Sequence, residues 1–236
     1  MINHIQVIRF RRGIMAGFDF DKTASTYDSF YTTPLGALYD RLQKKAVESL
    51  LPDPNEFPGV LEVGCGTGHW TSFLSQRGFK VTGIDISPEM IRIAESKKIP
   101  NADFKLVDIL DFSIDEQQFD IAVAFTSIEF TQSPSDALQQ MARTVRSGGY
   151  LLIGSLNKTG LLNQKRIKEK KEPYFSAQIP DEKEFRSTLS QYGDPIILKC
   201  CYVIPSAPKL NFIIEPLGQL LNLNWCEFMV GRVKIQ

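Results

Sequence analysis

The chain is poor in the residues that build disulfide frameworks and metal centres. It has four cysteines and two histidines, which are Cys65, Cys200, Cys201, Cys226, His4 and His69. No two cysteines form a Cys-x-x-Cys pair, and two of them are adjacent within an apolar run. We therefore expect neither a disulfide framework nor a metal site, and this cysteine usage fits a reducing cytoplasm.

The chain also lacks a charge imbalance and a long hydrophobic run. Its 27 Lys and Arg residues are matched by 27 Asp and Glu residues, so nothing in the net charge attracts nucleic acid or an anionic membrane. No apolar run approaches the roughly 20 residues that span a bilayer. The expected partner is a small molecule, and the expected assembly of this 236-residue chain is a monomer or a homodimer.

What the chain does contain is a glycine-rich turn between two short apolar runs. Residues 60–63 predict a buried parallel strand, residues 69–76 a helix, and residues 79–84 a second strand that ends in Asp85. Between the first strand and the helix, glycines alternate at Gly64, Gly66 and Gly68. Such glycines let the backbone turn sharply and approach a ligand closely. The pattern is half of a nucleotide-binding βαβ unit, with an acid placed to receive ribose hydroxyls.

The glycine spacing argues against a dinucleotide. A dinucleotide fingerprint requires a third glycine three positions after the second, but that position holds His69. What stands instead is Glu62-x-Gly64-x-Gly66-x-Gly68. This run resembles the first motif of the class I S-adenosylmethionine-dependent methyltransferases, and the N-terminal segment is similar to that of their small-molecule branch, of the ubiquinone and menaquinone biosynthesis type. The resemblance covers roughly residues 27–154.

The resemblance implies a fold and a cofactor. The fold is α/β, a Rossmann-like, doubly wound, seven-stranded and mostly parallel sheet whose last strand is antiparallel, with a helical N-terminal cap. The cofactor is S-adenosylmethionine. The residues expected to bind it are Glu62, Gly64, Cys65, Gly66, Gly68, Asp85, Ile86, Met90, Asp108, Ile109, Phe125 and Tyr27. The ligand is cationic overall, which suits acids at three successive strand ends and a glycine loop without Lys or Arg.

Several of these residues also have a plain structural interpretation. By the family pattern, Ile86 and Met90 lie beside the adenine, but both also suit the core. Asp108 is expected near the adenine amino group, with the backbone of Ile109 at the ring edge. Tyr27 belongs to an aromatic segment that either folds over the cofactor and substrate or packs on the core.

The expected domain layout follows the same resemblance. Residues 1–17 are an N-terminal extension, with Met15 as an alternative start, and residues 18–236 form one methyltransferase domain. Within that domain the expected segments are a helical cap at 18–58, the cofactor-binding core at 59–155, a lid at 156–180, and the remainder of the sheet at 181–236. The Lys-rich part of the lid segment is also compatible with an ordinary solvated helix.

The chemistry implied is in-line methyl transfer, which proximity and orientation can drive. A base is needed only if the acceptor must lose a proton. The candidates are Glu129, just beyond the fourth strand, and His69, beside the glycine loop. Residues 125–128 read Phe-Thr-Ser-Ile and not the Asn/Asp-Pro-Pro-aromatic signature of amide and amino nitrogen methylation. A small molecule methylated on oxygen or carbon is therefore expected, and the alternative is a noncatalytic protein that binds S-adenosylmethionine or its demethylated product.

Overall fold

The computed structural model describes residues 14–15, 18–111, 118–204 and 210–236. In these ranges the strands are β1 Ile14–Met15, β2 Phe18–Asp19, β3 Gly59–Val63, β4 Lys80–Asp85, β5 Ala102–Leu106, β6 Phe119–Phe125, β7 Val145–Leu156, β8 Ile196–Cys200 and β9 Phe228–Lys234. The α-helices are α1 Ala24–Tyr27, α2 Ser29–Thr32, α3 Pro34–Glu48, α4 His69–Ser75, α5 Pro88–Ser96, α6 Pro134–Thr144, α7 Leu161–Lys168, α8 Glu182–Leu189 and α9 Asn211–Leu220. None of the helices in these ranges is long and apolar enough to cross a membrane.

Seven strands form one sheet in the order β5-β4-β3-β6-β7-β9-β8. Strands β3 to β7 pair in parallel, whereas β9 is antiparallel to both β7 and β8. This topology confirms the predicted doubly wound sheet with an antiparallel last strand. The strand order reverses between β3 and β6, and ligands of such sheets bind outside the carboxyl ends of the strands at this reversal.

Helices cover both faces of the sheet, which explains why the central strands are continuously apolar. On one face α6 and α8 contribute Met141, Phe185 and Leu189 to a core that also contains Leu61. On the other face α3 and α4 pack residues such as Val47 against the sheet. The site at the strand ends is thus built on rigid, fully packed elements.

The sequence Ser147-Gly148-Gly149 predicts a turn before a strand at residues 150–155, but these residues lie inside the strand. Strand β7 already begins at Val145, which pairs with Phe119, and the register then shifts so that Tyr150 pairs with Ile121. Gly148 takes up the shift with a φ of +80°. A bulge within a strand and a turn before one share the same glycine signal.

Other boundaries differ by a few residues. The apolar run at residues 196–204 predicts one strand, but β8 ends at Cys200, since Cys201 has a φ of +65° and leaves the extended conformation. Ser133 is predicted from the sequence to cap α6, but its side chain makes no capping bond and its hydroxyl bonds that of Ser135 instead. Within the predicted N-terminal extension, β1 pairs with β2, while residues 1–13 and 16–17, His4 among them, lie outside the described ranges.

Candidate active site

The glycine loop leaves β3 and is tied at once to the end of β4. The N–H groups of Gly64 and Cys65 donate to the carbonyl of Ile84, at 2.8 and 3.0 Å. Gly64, Gly66 and Gly68 all have positive φ, as the turn requires. A Cβ added at Gly64 would lie 2.4 Å from that of Ser127, but one added at Gly66 meets nothing nearer than the sulfur of Met90 at 4.0 Å. Gly66 therefore borders open space that a side chain would fill.

Asp85 closes the other side of that space. Its carboxylate accepts hydrogen bonds from the Gly66 N–H at 2.8 Å and from the Ser87 N–H at 2.9 Å. Burial raises the pKa of Asp85, although these backbone donors offset part of the effect. The acid and the second glycine, 19 residues apart, are thus direct neighbours, as the βαβ interpretation predicts.

The other two predicted acids lie at the same edge of the sheet. Glu62 is buried, accepts from the Thr71 hydroxyl at 2.5 Å, and has its pKa raised by burial to about 8. Asp108 follows β5, whose end is joined to that of β4 by the Val107 N–H donating to the Asp85 carbonyl. The carboxylate of Asp108 accepts from the Leu110 N–H at 2.9 Å.

Most of the apolar residues predicted to touch the cofactor are also core residues. Cys65, Met90, Ile109 and Phe125 are all buried, and the Phe125 ring packs 4.4 Å from that of Trp70. Ile86, by contrast, is partly exposed. Burial of the Cys65 thiol raises its pKa, which makes it a packing residue and not a nucleophile. Of the two positions that the sequence left open, Met90 is a core residue and Ile86 is not fully buried, and contact with the cofactor stays a prediction for both.

The N-terminal cap reaches this edge through Tyr27. Burial raises the pKa of Tyr27 to about 12, with further upward contributions from Tyr174 and Asp85, while a hydrogen bond with Tyr31 lowers it. Tyr27 is thus close to the segment after β7 and to the end of β4. Contact of this aromatic segment with cofactor and substrate stays a prediction.

Sequence reasoning missed two aspartates that fasten the cap. Asp21 accepts from the Ser87 hydroxyl at 2.5 Å and from the Glu89 N–H at 3.3 Å, at the start of α5. Asp28 accepts from the Thr67 hydroxyl at 2.6 Å. Their partners are 39 to 68 residues away, so no local pattern could have found them.

His69 is held by the cap helices. Its Nε2 lies 2.6 Å from a carboxylate oxygen of Asp40 and 3.0 Å from Nζ of Lys44. The ring of Tyr31 stacks on it, with ring centres 3.6 Å apart. These contacts join the first residue of α4, directly after the glycine loop, to α3.

Glu129 lies in the turn after β6 and is buried. One carboxylate oxygen, Oε1, accepts from the Leu156 N–H at 3.0 Å, while Oε2 is buried and has no partner at hydrogen-bonding geometry. Burial raises its pKa to about 7, and weaker contributions from the Leu156 N–H, the Glu129 backbone and the Ser155 hydroxyl offset part of the effect. The turn abuts the glycine loop, because the neighbouring Ser127 hydroxyl donates to the Val63 carbonyl at 2.8 Å.

An aromatic roof covers the turn. Phe130 packs against Phe20 of the cap, with ring centres 5.7 Å apart, and against Tyr174 of the segment after β7, at 6.5 Å. Leu156 and Ile179 complete this cluster. Phe175, which follows Tyr174 in the predicted lid, is 48% exposed. The described ranges contain no group of three or more His, Cys, Asp or Glu side chains suited to a metal ion.

The amino-acid sequence is similar to those of known methyltransferases. A methyltransferase-domain family matches residues 36–193. A malonyl-[acyl-carrier protein] O-methyltransferase of Hamiltonella defensa is 31% identical over 160 residues, which are 67% of this chain and 60% of that protein. A ubiquinone biosynthesis O-methyltransferase of Xanthomonas oryzae is 28% identical over 104 residues, 42% of this chain and 44% of that protein. The matches thus span about half of these two relatives' length.

Solved structures share the fold. A Thermotoga maritima S-adenosylmethionine-dependent methyltransferase, described as a possible histamine N-methyltransferase, superposes with a TM-score of 0.71 at 20% identity, covering 92% of this chain and 98% of that one. The N-methyltransferase NodS of Bradyrhizobium japonicum, solved with S-adenosylhomocysteine, superposes with a TM-score of 0.65 at 18% identity, covering 92% and 96%.

Proposed function

Because the chain belongs to the methyltransferase-domain family, whose cofactor is S-adenosylmethionine, we propose that it transfers a methyl group to an oxygen atom of a small molecule. The two relatives named above support oxygen, since both are O-methyltransferases. They act on different acceptors, so they indicate the acceptor atom and not the acceptor.

The residues at the strand ends fit the cofactor. The open space beside Gly66 suits close backbone contact, and the carboxylate of Asp85 suits ribose hydroxyls. Asp108 suits the adenine amino group. When bound, S-adenosylmethionine supplies a methyl group already activated on a sulfonium. The protein's own task is to orient the acceptor, since positioning accounts for about 7 to 11 kcal/mol of barrier in favourable cases.

The roof is the observation that carries the small-molecule assignment. The cap and the segment after β7 converge over the carboxyl ends of the strands, through Phe20, Phe130 and Tyr174. Asp21 and Asp28 fasten the cap beside the glycine loop. A site closed from two sides excludes water and favours an acceptor small enough to be enclosed.

Calorimetric titration with S-adenosylmethionine, S-adenosylhomocysteine and NAD tests the cofactor. We expect micromolar binding of the first two and none of NAD. Transfer of a labelled methyl group in a heat-inactivated cell extract, separated afterwards into metabolite, protein and nucleic-acid fractions, then tests the acceptor, and base hydrolysis of the labelled metabolites separates esters from ethers and N-methyl compounds. Label only in protein or nucleic acid, or only on nitrogen, would overturn the proposal.

A further inference from the structure

We propose that Glu129 is the catalytic base, which takes the proton of an acceptor hydroxyl, and that the acceptor is accordingly a phenol or another weakly acidic alcohol. This inference rests on the proposed function and makes its acceptor class specific.

Position is the first argument. Glu129 follows β6, the strand beside β3, from which the glycine loop leaves. Its neighbour Ser127 touches that loop directly, both through the bond to Val63 and through the close approach to Gly64. The carboxyl group therefore lies at the same edge of the sheet as the cofactor residues, beneath the roof.

The free carboxylate oxygen is the second argument. Two other buried glutamates have both oxygens bonded: Glu227 accepts from the N–H groups of Leu162 and Asn163, and Glu215 from those of Cys201 and Tyr202. Glu129 uses only Oε1 in this way and leaves Oε2 buried without a partner. Buried polar atoms are nearly always paired, so an unpaired one indicates a ligand that is missing from the protein alone.

The surroundings of the Glu129 carboxyl group allow it to accept a proton near neutral pH. The residues around it include Phe130 and Leu156 of the apolar roof cluster and the backbone of Gln178, whose N–H donates to the Glu129 carbonyl at 2.7 Å. The Ser155 hydroxyl is close enough to lower the pKa of Glu129, but it donates its hydrogen bond to the Leu156 carbonyl at 3.1 Å and leaves Oε2 unpaired. Tyr174 is the titratable side chain of the roof cluster. Burial raises the pKa of Glu129 to about 7, close to where a general base is most effective.

A buried carboxylate that acts as a base is useful to only one class of methyl acceptor. A carboxylic acid is already ionised near neutral pH and needs no base, and its charge would be repelled by Glu129. A phenol, with an ordinary pKa of about 10, is largely protonated and must lose its proton to react well. The acceptors that need Oε2 of Glu129 as a base are therefore hydroxyl compounds.

The proposed step balances as follows. The oxygen of the acceptor forms a bond to the methyl carbon while its proton passes to Oε2 of Glu129. The pair of electrons in the broken carbon–sulfur bond stays on sulfur, which becomes a neutral thioether. The protonated Glu129 then returns its proton to solvent after product release.

The test compares Glu129→Gln with Glu215→Gln. The first keeps an oxygen for the Leu156 N–H, and the second removes the carboxylate of another buried glutamate, in α9. With catechol, benzyl alcohol, benzoic acid and aniline as probes, beside the metabolite extract, we expect ethers as products. We expect Glu129→Gln to lower turnover by about 10²- to 10⁴-fold with unchanged S-adenosylmethionine affinity, and Glu215→Gln to have no effect.

A readout independent of turnover is a ¹³C NMR titration of the glutamate carboxyl groups. The resonance that Glu129→Gln removes should titrate near pH 7. Equal turnover in both variants, or products that are only esters or amines, would overturn the inference while methyl transfer stands. Cofactor binding without transfer to any probe or extract would instead overturn the proposed function.

Discussion

Thr67 of the glycine loop donates a 2.6 Å hydrogen bond to Asp28 of the cap, across 39 residues of sequence. The other oxygen of Asp28 pairs with Lys97 at 2.6 Å, just beyond the end of α5. Burial alone would raise the pKa of Asp28, but the bonds from Lys97 and Thr67 outweigh it and lower the pKa. One carboxylate thus joins the cap to two sides of the cofactor site.

Asp28→Ala should therefore loosen the cap and weaken S-adenosylmethionine binding. The expected loss is about 1 kcal/mol, roughly fivefold in affinity, by analogy with other single hydrogen bonds. Calorimetry measures the affinity, and hydrogen exchange over residues 20–32 should become faster. Asp19→Ala removes the exposed pair with Lys22 and serves as control. Equal exchange in the two variants would show that Asp28 does not hold the cap.

Asp85→Ala should weaken S-adenosylmethionine binding by about 1.5 to 3 kcal/mol, the range for a hydrogen bond to a charged group. The matched control is Asp103→Ala, an exposed acid on the neighbouring strand β5. Calorimetry on both variants decides the matter. If Asp85→Ala binds like the control, the ribose assignment is wrong.

Alanine substitutions at Gly66 and Gly64 should affect cofactor binding and folding stability differently. Gly66→Ala adds a methyl group into open space, at a φ of +52° that costs about 1 to 2 kcal/mol, so we expect a folded protein that no longer binds S-adenosylmethionine. Gly64→Ala brings its methyl group against Ser127 and adds an overpacking cost of about 1 to 3 kcal/mol. Urea unfolding and calorimetry distinguish the two, and retained binding by Gly66→Ala would refute the close approach.

Three buried carboxyl groups should make the protein less stable as the pH rises. Burial raises the pKa of Glu62 to about 8 and those of Glu129 and Glu227 to about 7, from an ordinary value of 4.5. The folded state thus binds more protons than the unfolded state. The stabilisation is complete below pH 4.5 and is lost as the pH rises through 7 to 8. Urea unfolding between pH 5 and 8 should show a decrease of roughly 1 to 3 kcal/mol per group.

The substitution Glu227→Gln measures how much one of these carboxyl groups contributes to the pH dependence of stability. Its neutral amide still offers an oxygen to the start of α7, where the Leu162 and Asn163 N–H groups now bond the carboxylate. The pH dependence of the unfolding free energy should become shallower by up to one proton. An unchanged slope would mean that Glu227 is ionised throughout this range.

The sheet, and the glycines and acids at its carboxyl edge, could be predicted from the sequence because both depend on local patterns. Apolar runs that end in Asp85 and Asp108 predict parallel strands with acids at their carboxyl ends, and Gly64 and Gly66 predict the turn between them. The contacts of the cap could not be predicted, because Asp21 and Asp28 form their hydrogen bonds with residues that are distant in the sequence. The unpaired oxygen of Glu129 likewise depends on how β7 and the following segment close over it.

Strand β9 has a consequence for how the protein is made. It lies between β7 and β8, so during synthesis both of those strands are complete while their shared neighbour is still missing. Until residues 228–234 leave the ribosome, two adjacent edges of the nascent sheet stay open to pairing with other chains. Glu227, which holds the start of α7, arrives with the same strand. The start of α7 therefore gains its carboxylate partner only once this strand has been made, and a chain stalled before it would be prone to aggregation.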